Sequence, residues 1–121
     1  MVSALFDTNI LLDNIKGIEA AQIELKRYDD RAISIITVIE VLVGTTAPTE
    51  RLERALLGEF AVVSVDQAVA EEAASLRRAY RIKLPDAIIW ASARVQGRLL
   101  VTRNTKDFPA GDPGIRHPYQ V

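Results

Sequence analysis

Four acidic residues in this chain occupy positions at which a protein with a parallel sheet could bind a ligand. Asp7 ends a short apolar run, and Glu40 is the lone charge in a long apolar segment. Asp86 falls in the first turn of a predicted helix, and Asp107 falls in the loop after a predicted strand. Parallel sheets bind ligands at the carboxyl ends of their strands, and Mg²⁺ or Mn²⁺ prefers oxygen ligands. Carboxylates that converge there would allow phosphodiester hydrolysis by metal-activated water.

Each of the four residues also has a structural explanation that needs no metal. Asp7 could cap the helix that follows it, Asp86 could interact with a helix dipole, and Asp107 could be a turn residue. Thr37 and Glu40 match a capping box, which predicts a helix start near Thr37. That helix is so apolar that we expect it to be largely buried, where an unpaired carboxylate would cost several kcal/mol. Four separate structural explanations are needed where one metal site accounts for all four residues.

Strands alternate with helices along the chain. Strands are predicted at 2–6, 32–36, 61–65 and 98–102, with a last short one near 115–117 or 119. Helices are predicted around 10–13, 17–28, 37–44, 49–57, 67–80 and 84–96. This alternation predicts the α/β class, as a three-layer α/β/α sandwich with a mostly parallel central sheet.

Length and composition limit the classes of protein that fit. The 121 residues suit one domain covering 1–121, and the absence of cysteine excludes thiolate chemistry and fits a reducing compartment. No segment approaches the ~20 apolar residues of a membrane helix, so we expect a cytoplasmic protein that does not enter the membrane. Residues 1–66 hold six Lys and Arg against eleven Asp and Glu, whereas residues 67–121 hold nine against five. The second half could therefore carry a local phosphate-binding patch.

Other catalytic chemistries find little support. His117 is the single histidine and lies in an irregular tail, where we interpret it as a surface residue rather than part of a Ser–His–Asp site. The six glycines are scattered and form no phosphate-binding loop. Trp90 and Tyr80 are interpreted as core or interface residues rather than as base-stacking platforms. Together with Leu76 they exceed what one small core face must bury, which predicts a homodimer built from apolar helix surface.

Four short motifs, in this order, give the chain a family resemblance. They are Asp7-Thr8-Asn9, Thr37-x-x-Glu40, Leu84-Pro85-Asp86-Ala87 and Thr102-Arg103-Asn104-x-x-Asp107-Phe108. With them the chain resembles the PIN-domain ribonucleases, and among these the VapC toxins of toxin–antitoxin pairs. The resemblance covers nearly the whole chain.

The resemblance implies a Mg²⁺- or Mn²⁺-dependent endoribonuclease that acts as a toxin, forms a homodimer and is inhibited by a small antitoxin. The metal and catalytic residues it implies are Asp7, Glu40, Asp86 and Asp107. Whether Asn104 or Asp107 completes the site is left open, as is the number of metal ions. Residues that would orient ligands or waters are Thr8, Asn9, Thr37, Thr102 and Asn104. Candidates for contacts with the RNA backbone are Arg81, Lys83, Arg103 and Lys106.

Two other functions compete with this interpretation. A phosphotransferase that uses Asp7 as its nucleophile would need a second acid two residues later, where this chain has Asn9. A non-catalytic PIN-like module that binds nucleic acid or protein would not need an intact set of four acids. An RNA cleavage assay with and without metal separates the enzyme from the binding module.

Overall fold

A computed structural model, which describes residues 2–121, shows one parallel sheet with helices on both faces. Its strands are β1 (Ser3–Phe6), β2 (Asp30–Ser34), β3 (Ala61–Val63), β4 (Leu99–Val101) and β5 (Ile115–Arg116). Its helices are α1 (Thr8–Ile15), α2 (Glu19–Lys26), α3 (Ile35–Val43), α4 (Glu50–Leu57), α5 (Gln67–Tyr80) and α6 (Leu84–Val95). The predicted α/β sandwich is confirmed.

The order of the strands places the ends of β1 and β4 side by side at the centre of the sheet. The order is β3-β2-β1-β4-β5, and each neighbouring pair is parallel. The chain therefore adds β2 and β3 on one side of β1, and then adds β4 and β5 on the other side. Ligands of open α/β sheets bind at such a switch point, outside the carboxyl ends of the strands.

Apolar side chains fill a layer on each face of the sheet. On one face, α5 and α6 contribute Leu76 and Trp90, which pack in one cluster with Phe108. On the other face, Phe6 packs in a second cluster with Tyr28 and residues of α1 to α4. These two layers give the three-layer arrangement its stability, because they remove large apolar side chains from water on both faces.

The start of α3 differs from the prediction. The helix begins at Ile35, and the Ser34 hydroxyl caps it by accepting a hydrogen bond from the backbone N–H of Ile36 at 3.0 Å. The predicted capping box of Thr37 with Glu40 is therefore wrong. Ile35 and Ile36 are β-branched and favour a strand, which led to an overlong second strand and a late helix start.

The burial of α3 also differs from the prediction. Only Thr37 and Val41 are buried in this helix, whereas Ile39 is 52% exposed and Val43 is 80% exposed. Glu40 is exposed as well. The expectation that this apolar helix is largely buried was wrong, because the helix packs only one face against the sheet. Its outer face is an apolar surface that the chain itself does not cover.

Of the two aromatic residues interpreted as core or interface residues, Trp90 lies in the core. Trp90 is 1% exposed, and its ring lies 4.8 Å from that of Tyr80 and 5.8 Å from that of Phe108, centre to centre. Leu76 is buried too, and only Tyr80 is partly exposed. The argument that Trp90, Tyr80 and Leu76 together require an interface was wrong.

Within residues 2–121, no helix combines the length and the apolar character needed to cross a membrane.

Candidate functional site

Asp7 stands at the switch point and is held there by three hydrogen bonds. It follows β1 directly and is buried. One carboxylate oxygen accepts the backbone N–H of Thr8 at 2.7 Å, so Asp7 does cap α1. The other oxygen accepts the hydroxyl of Thr102, which follows β4, at 2.7 Å and the amide of Asn9 at 3.3 Å. Capping therefore explains one oxygen of Asp7, while the second is fixed across the sheet.

Two threonines connect Glu40 to the same edge of the sheet. The Thr8 hydroxyl donates to Glu40 at 2.6 Å and lies 2.9 Å from the Thr37 hydroxyl. A hydroxyl has one proton, so when Thr8 donates to Glu40 it is Thr37 that donates to Thr8. Helix α3 thereby carries Glu40 to the end of β1 beside Asp7.

Asp86 reaches the site from the first turn of α6, where Pro85 opens the helix. Burial raises the pKa of Asp86, and the nearby charges of Asp107 and Glu40 raise it further, while Lys83 lowers it. Asp107 and Glu40 therefore lie close enough to Asp86 for their charges to act on it.

The pKa of Asp7 is raised from 3.8 to about 6, mainly because the carboxyl group is buried. Hydrogen bonds from Thr102 and Thr8 oppose the rise, and the charges of Asp86 and Glu40 add to it. The charge of Glu40 thus acts on both Asp7 and Asp86 at this edge of the sheet, and the charge of Asp107 acts on Asp86.

Two buried carboxylates elsewhere in the chain pair with arginine, whereas the four carboxylates of the site do not. Asp13 and Glu24 are both buried, and each receives a two-pronged contact from an arginine. Across the described residues 2–121, none of the four site carboxylates forms a salt bridge. Their negative charge is therefore not compensated by a salt bridge, although Lys83 offsets part of it at Asp86.

The four carboxylates are suitable ligands for a hard divalent cation, although their oxygens do not converge on one point in this structure. In the described part of the chain, no three Asp, Glu or His side chains are close enough together to hold a metal ion as they stand. Magnesium usually keeps several waters and is bound through one or two carboxylates, so it does not require a closed cage. The residues fit such an ion by oxygen chemistry and by uncompensated charge.

The loop after β4 gives Asn104 and Asp107 different roles. The Asn104 side-chain oxygen accepts the backbone N–H groups of Lys106 and Asp107, each at 3.1 Å. Its amide group donates to the Asp107 carboxylate at 2.9 Å. Asn104 therefore shapes the turn and orients the Asp107 carboxylate, and Asp107 is the charged residue of the two.

One residue assigned to RNA is already engaged within the protein. Arg103 donates to both carboxylate oxygens of Asp13, at 2.7 and 3.1 Å, and Tyr119 donates to the same carboxylate at 2.9 Å. The backbone N–H of Arg103 contacts the Asn9 side-chain oxygen at 3.3 Å, which links this ion pair to the site. We therefore leave Arg103 out of the proposed RNA contacts. Asp13 and Tyr119 were missed, although an acid inside the otherwise uncharged α1 was a usable signal.

The C-terminal tail supports the same loop. His117 is partly buried rather than fully exposed, and its Nε2 lies 3.2 Å from the backbone oxygen of Asn104. Arg116 in β5 contacts Glu24 of α2. The tail that was expected to be irregular thus holds the loop of Asp107 against the sheet.

Comparisons with known proteins agree with this fold. A sequence model of the PIN domain matches residues 4–111. Ribonuclease VapC10 of Mycobacterium tuberculosis is 30% identical over 125 aligned positions, covering 97% of this chain and 93% of the relative. The chain therefore belongs to the PIN-domain family, among its VapC-type members.

Two solved structures are similar over nearly their whole length. A chain of a toxin–antitoxin complex from Klebsiella pneumoniae is 45% identical with a TM-score of 0.93, covering 98% of this chain and 100% of that one. A chain of FitAcB from Neisseria gonorrhoeae is 27% identical with a TM-score of 0.79, covering 98% and 99%.

Proposed function

We propose that this protein is a Mg²⁺- or Mn²⁺-dependent endoribonuclease and the toxin of a toxin–antitoxin pair, acting in the cytoplasm. The observation that carries the proposal is the set of four uncompensated carboxylates at the switch point of the sheet. Similarity to a curated VapC ribonuclease supports RNA as the substrate.

The mechanism assigns a role to each residue of the site. Asp7, Glu40, Asp86 and Asp107 would hold the cation, which when bound supplies a hydroxide at neutral pH and stabilises charge on the phosphate. Thr102 and Asn9 keep Asp7 oriented, and Thr8, itself held by Thr37, does the same for Glu40. These contacts fix the carboxylates before substrate arrives, which limits the reorganisation needed for reaction. Lys83 and Lys106 are basic residues beside Asp86 and Asp107 that would attract the RNA backbone.

Cleavage of a labelled single-stranded RNA tests the proposal directly. We expect cleavage by the purified protein with Mg²⁺ or Mn²⁺, no cleavage with EDTA, and a loss of at least 100-fold in Asp86→Asn, on the order expected when a group that stabilises the transition-state charge is removed. Asp30→Asn is the matched control, because Asp30 is an exposed carboxylate that pairs with Arg98 away from the site. Binding of RNA without metal-dependent cleavage would favour the non-catalytic module instead.

The similarity to a chain of a toxin–antitoxin complex supports an antitoxin as partner. We propose that the antitoxin docks a helix on an apolar depression of about 220 Å³ between α1 and α4, which Ile15, Leu52 and Leu56 line. Leu52 is 73% exposed there. Exposed apolar side chains that the chain does not cover are what a helix-in-groove contact requires.

We also propose that the protein is a homodimer. Its interface would lie on α3 rather than around Trp90, Tyr80 and Leu76. Ile39 and Val43 lie one helical turn apart on the uncovered face of α3. Pairing of two such faces would bury this apolar surface, as homodimer interfaces do.

A further inference from the structure

At the C-terminal end of α5, a few residues before Asp86 in the chain, lies a depression lined with arginine. It measures about 480 Å³, and the residues that line it are Ala74, Arg77, Arg78, Arg81 and Leu84. The first four follow the spacing of one helix face, so the three guanidinium groups share one side of α5. No acidic residue lines the depression.

Two of these arginines have no acidic partner within the protein. In the described residues 2–121, neither Arg78 nor Arg81 takes part in a salt bridge. Arg77 differs, because it donates to the backbone oxygen of Ile82 at 2.6 Å and so closes the turn between α5 and α6. Arg78 and Arg81 are exposed and available to a ligand.

The backbone at Arg81 is held in a conformation that an arginine adopts only with strain. Its φ of 56° is the only positive φ among the non-glycine residues that the structure describes, and it is the C-terminal cap of α5. Glycine normally fills this left-handed position, since a Cβ atom there is disfavoured. Strained residues of this kind concentrate at functional sites. An arginine therefore occupies a position where glycine would be more stable.

We propose that Arg78 and Arg81 form a subsite for the sugar–phosphate backbone of the RNA substrate, next to the scissile phosphate. The proposal rests on the ribonuclease function proposed above. Arg81 precedes Asp86 by five residues, which limits the separation of their Cα atoms to about 17 Å. A single strand of RNA bound at Asp86 is long enough to span this separation, and Arg78 lines the same depression as Arg81.

The chemistry of the depression favours the backbone over the bases. Its lining has three guanidinium groups, which bind phosphate in a two-pronged geometry, and no aromatic ring on which a base could stack. Contacts of this kind hold RNA in register without reading its sequence. The subsite therefore adds affinity for any single strand and leaves sequence selection to other residues.

The left-handed backbone of Arg81 permits a test in which stability and binding move in opposite directions. Arg81→Gly relieves the strain, so its Tm should rise by about 2–4 °C, while its affinity for RNA should fall about 3- to 10-fold. Arg81→Lys keeps both charge and strain and should bind better than Arg81→Gly. Lys26→Ala removes an exposed charge from α2 just before β2, at the opposite end of the strands, and should leave RNA binding at the wild-type level.

The measurement is fluorescence anisotropy of a labelled single-stranded RNA in EDTA, at several salt concentrations, beside a thermal melt. Each lost phosphate contact should lower the slope of log K against log salt by about 0.7, so Arg78→Ala with Arg81→Gly should lose about 1.4. With Mg²⁺, the loss in cleavage should fall mainly on KM.

An Arg81→Gly protein that melts higher but binds RNA as tightly as the wild type, with the same salt slope, would overturn the subsite. Absence of metal-dependent cleavage in the wild type would instead count against the ribonuclease function, because the binding measurement contains no metal and does not depend on cleavage.

Discussion

At the scale of single residues, Asp7 shows how one carboxylate can be both a helix cap and a functional group. One oxygen caps α1 and the other is bonded to Thr102, so an asparagine could preserve much of the geometry. What asparagine cannot preserve is the charge. Because burial disfavours that charge, the folded protein with Asp7 is less stable at neutral pH than the protein with asparagine there.

This argument predicts that Asp7→Asn stabilises the metal-free protein, and that the gain grows with pH. The pKa of Asp7 is raised from 3.8 to about 6 in the folded protein. Below about pH 4, Asp7 is protonated in both the folded and the unfolded protein, and its contribution to the free energy of unfolding is at its maximum. As the pH rises through 6, the free energy of unfolding of the wild type falls by up to about 3 kcal/mol. Urea unfolding in EDTA between pH 4 and 8 measures the difference between variant and wild type.

Asp30→Asn provides the control of opposite sign. Hydrogen bonds from Arg98 and Ser3 lower the pKa of Asp30, so this carboxylate stabilises the fold above its ordinary pKa and the variant should gain nothing with pH. A difference between Asp7→Asn and the wild type that stays constant from pH 4 to 8 would mean that the charge of Asp7 is not strained by burial.

At the scale of secondary-structure elements, the loop after β4 depends on a buried ion pair. Asp13 of α1 is 1% exposed, and it meets Arg103 and Tyr119 from distant parts of the chain. Helix α1 and the tail thus clamp the loop that carries Asp107. We regard Arg103 as a positioning residue, since its side chain contacts Asp13 and its backbone N–H contacts Asn9.

Removal of the arginine should therefore harm stability first. Arg103→Ala leaves Asp13 buried without its cation, which should cost about 3–5 kcal/mol. Arg54→Ala is the matched control: it breaks an exposed pair with Glu50 one turn away on α4 and should cost under about 0.5 kcal/mol. Urea unfolding of the two variants measures the loss of stability in each. An Arg103→Ala protein that is as stable as the wild type but binds RNA more weakly would restore Arg103 as an RNA contact.

Several elements could be predicted because their signals are local. The polar stop at Asp7 marked the end of β1, and the proline at position 85 marked the first turn of α6. The start of α3 could not be placed, because two β-branched isoleucines continue the strand pattern beyond the Ser34 cap. The contact of Asp13 with Arg103 joins residues 90 positions apart, and no local pattern pairs them.

At the scale of the whole molecule, the topology accounts for where the site forms. The elements that carry the four acids reach one edge of the sheet because β1 and β4 end side by side, with α3 and α6 beginning at the same edge. The order of motifs along the chain predicted this arrangement of elements, whereas the surfaces for partners could not be predicted. Composition alone does not distinguish an apolar helix that is buried from one, like α3, that is half uncovered.

The antitoxin surface leads to a prediction about complex formation. Leu52→Asp should weaken binding of the cognate antitoxin at least 10-fold, because it places a charge in a contact that must be desolvated. Ile23→Asp on α2 is the matched control, since Ile23 is 56% exposed but does not line the depression. Isothermal titration calorimetry with the antitoxin compares the two. Equal affinities for both variants would place the antitoxin elsewhere.

The homodimer gives a separate prediction. Val43→Glu should shift the protein toward monomer without loss of stability, because Val43 is 80% exposed in the single chain and its burial would come only from a partner. Light scattering across micromolar concentrations reports the mass. A wild-type protein that is monomeric throughout this range, or a Val43→Glu dimer as tight as the wild type, would contradict the proposed interface.

The central claim is that the uncompensated carboxylates are the ligands of a divalent cation, and Mn²⁺ binding measured by calorimetry at pH 7.5 tests it most directly. Wild-type protein should bind Mn²⁺, and Asp7→Asn and Asp86→Asn should each weaken binding at least 10-fold, because each removes a charge with almost no change in shape. Asp30→Asn should bind like the wild type. If Asp7→Asn and Asp86→Asn, both folded, bind Mn²⁺ as tightly as the wild type, these carboxylates are not the metal site.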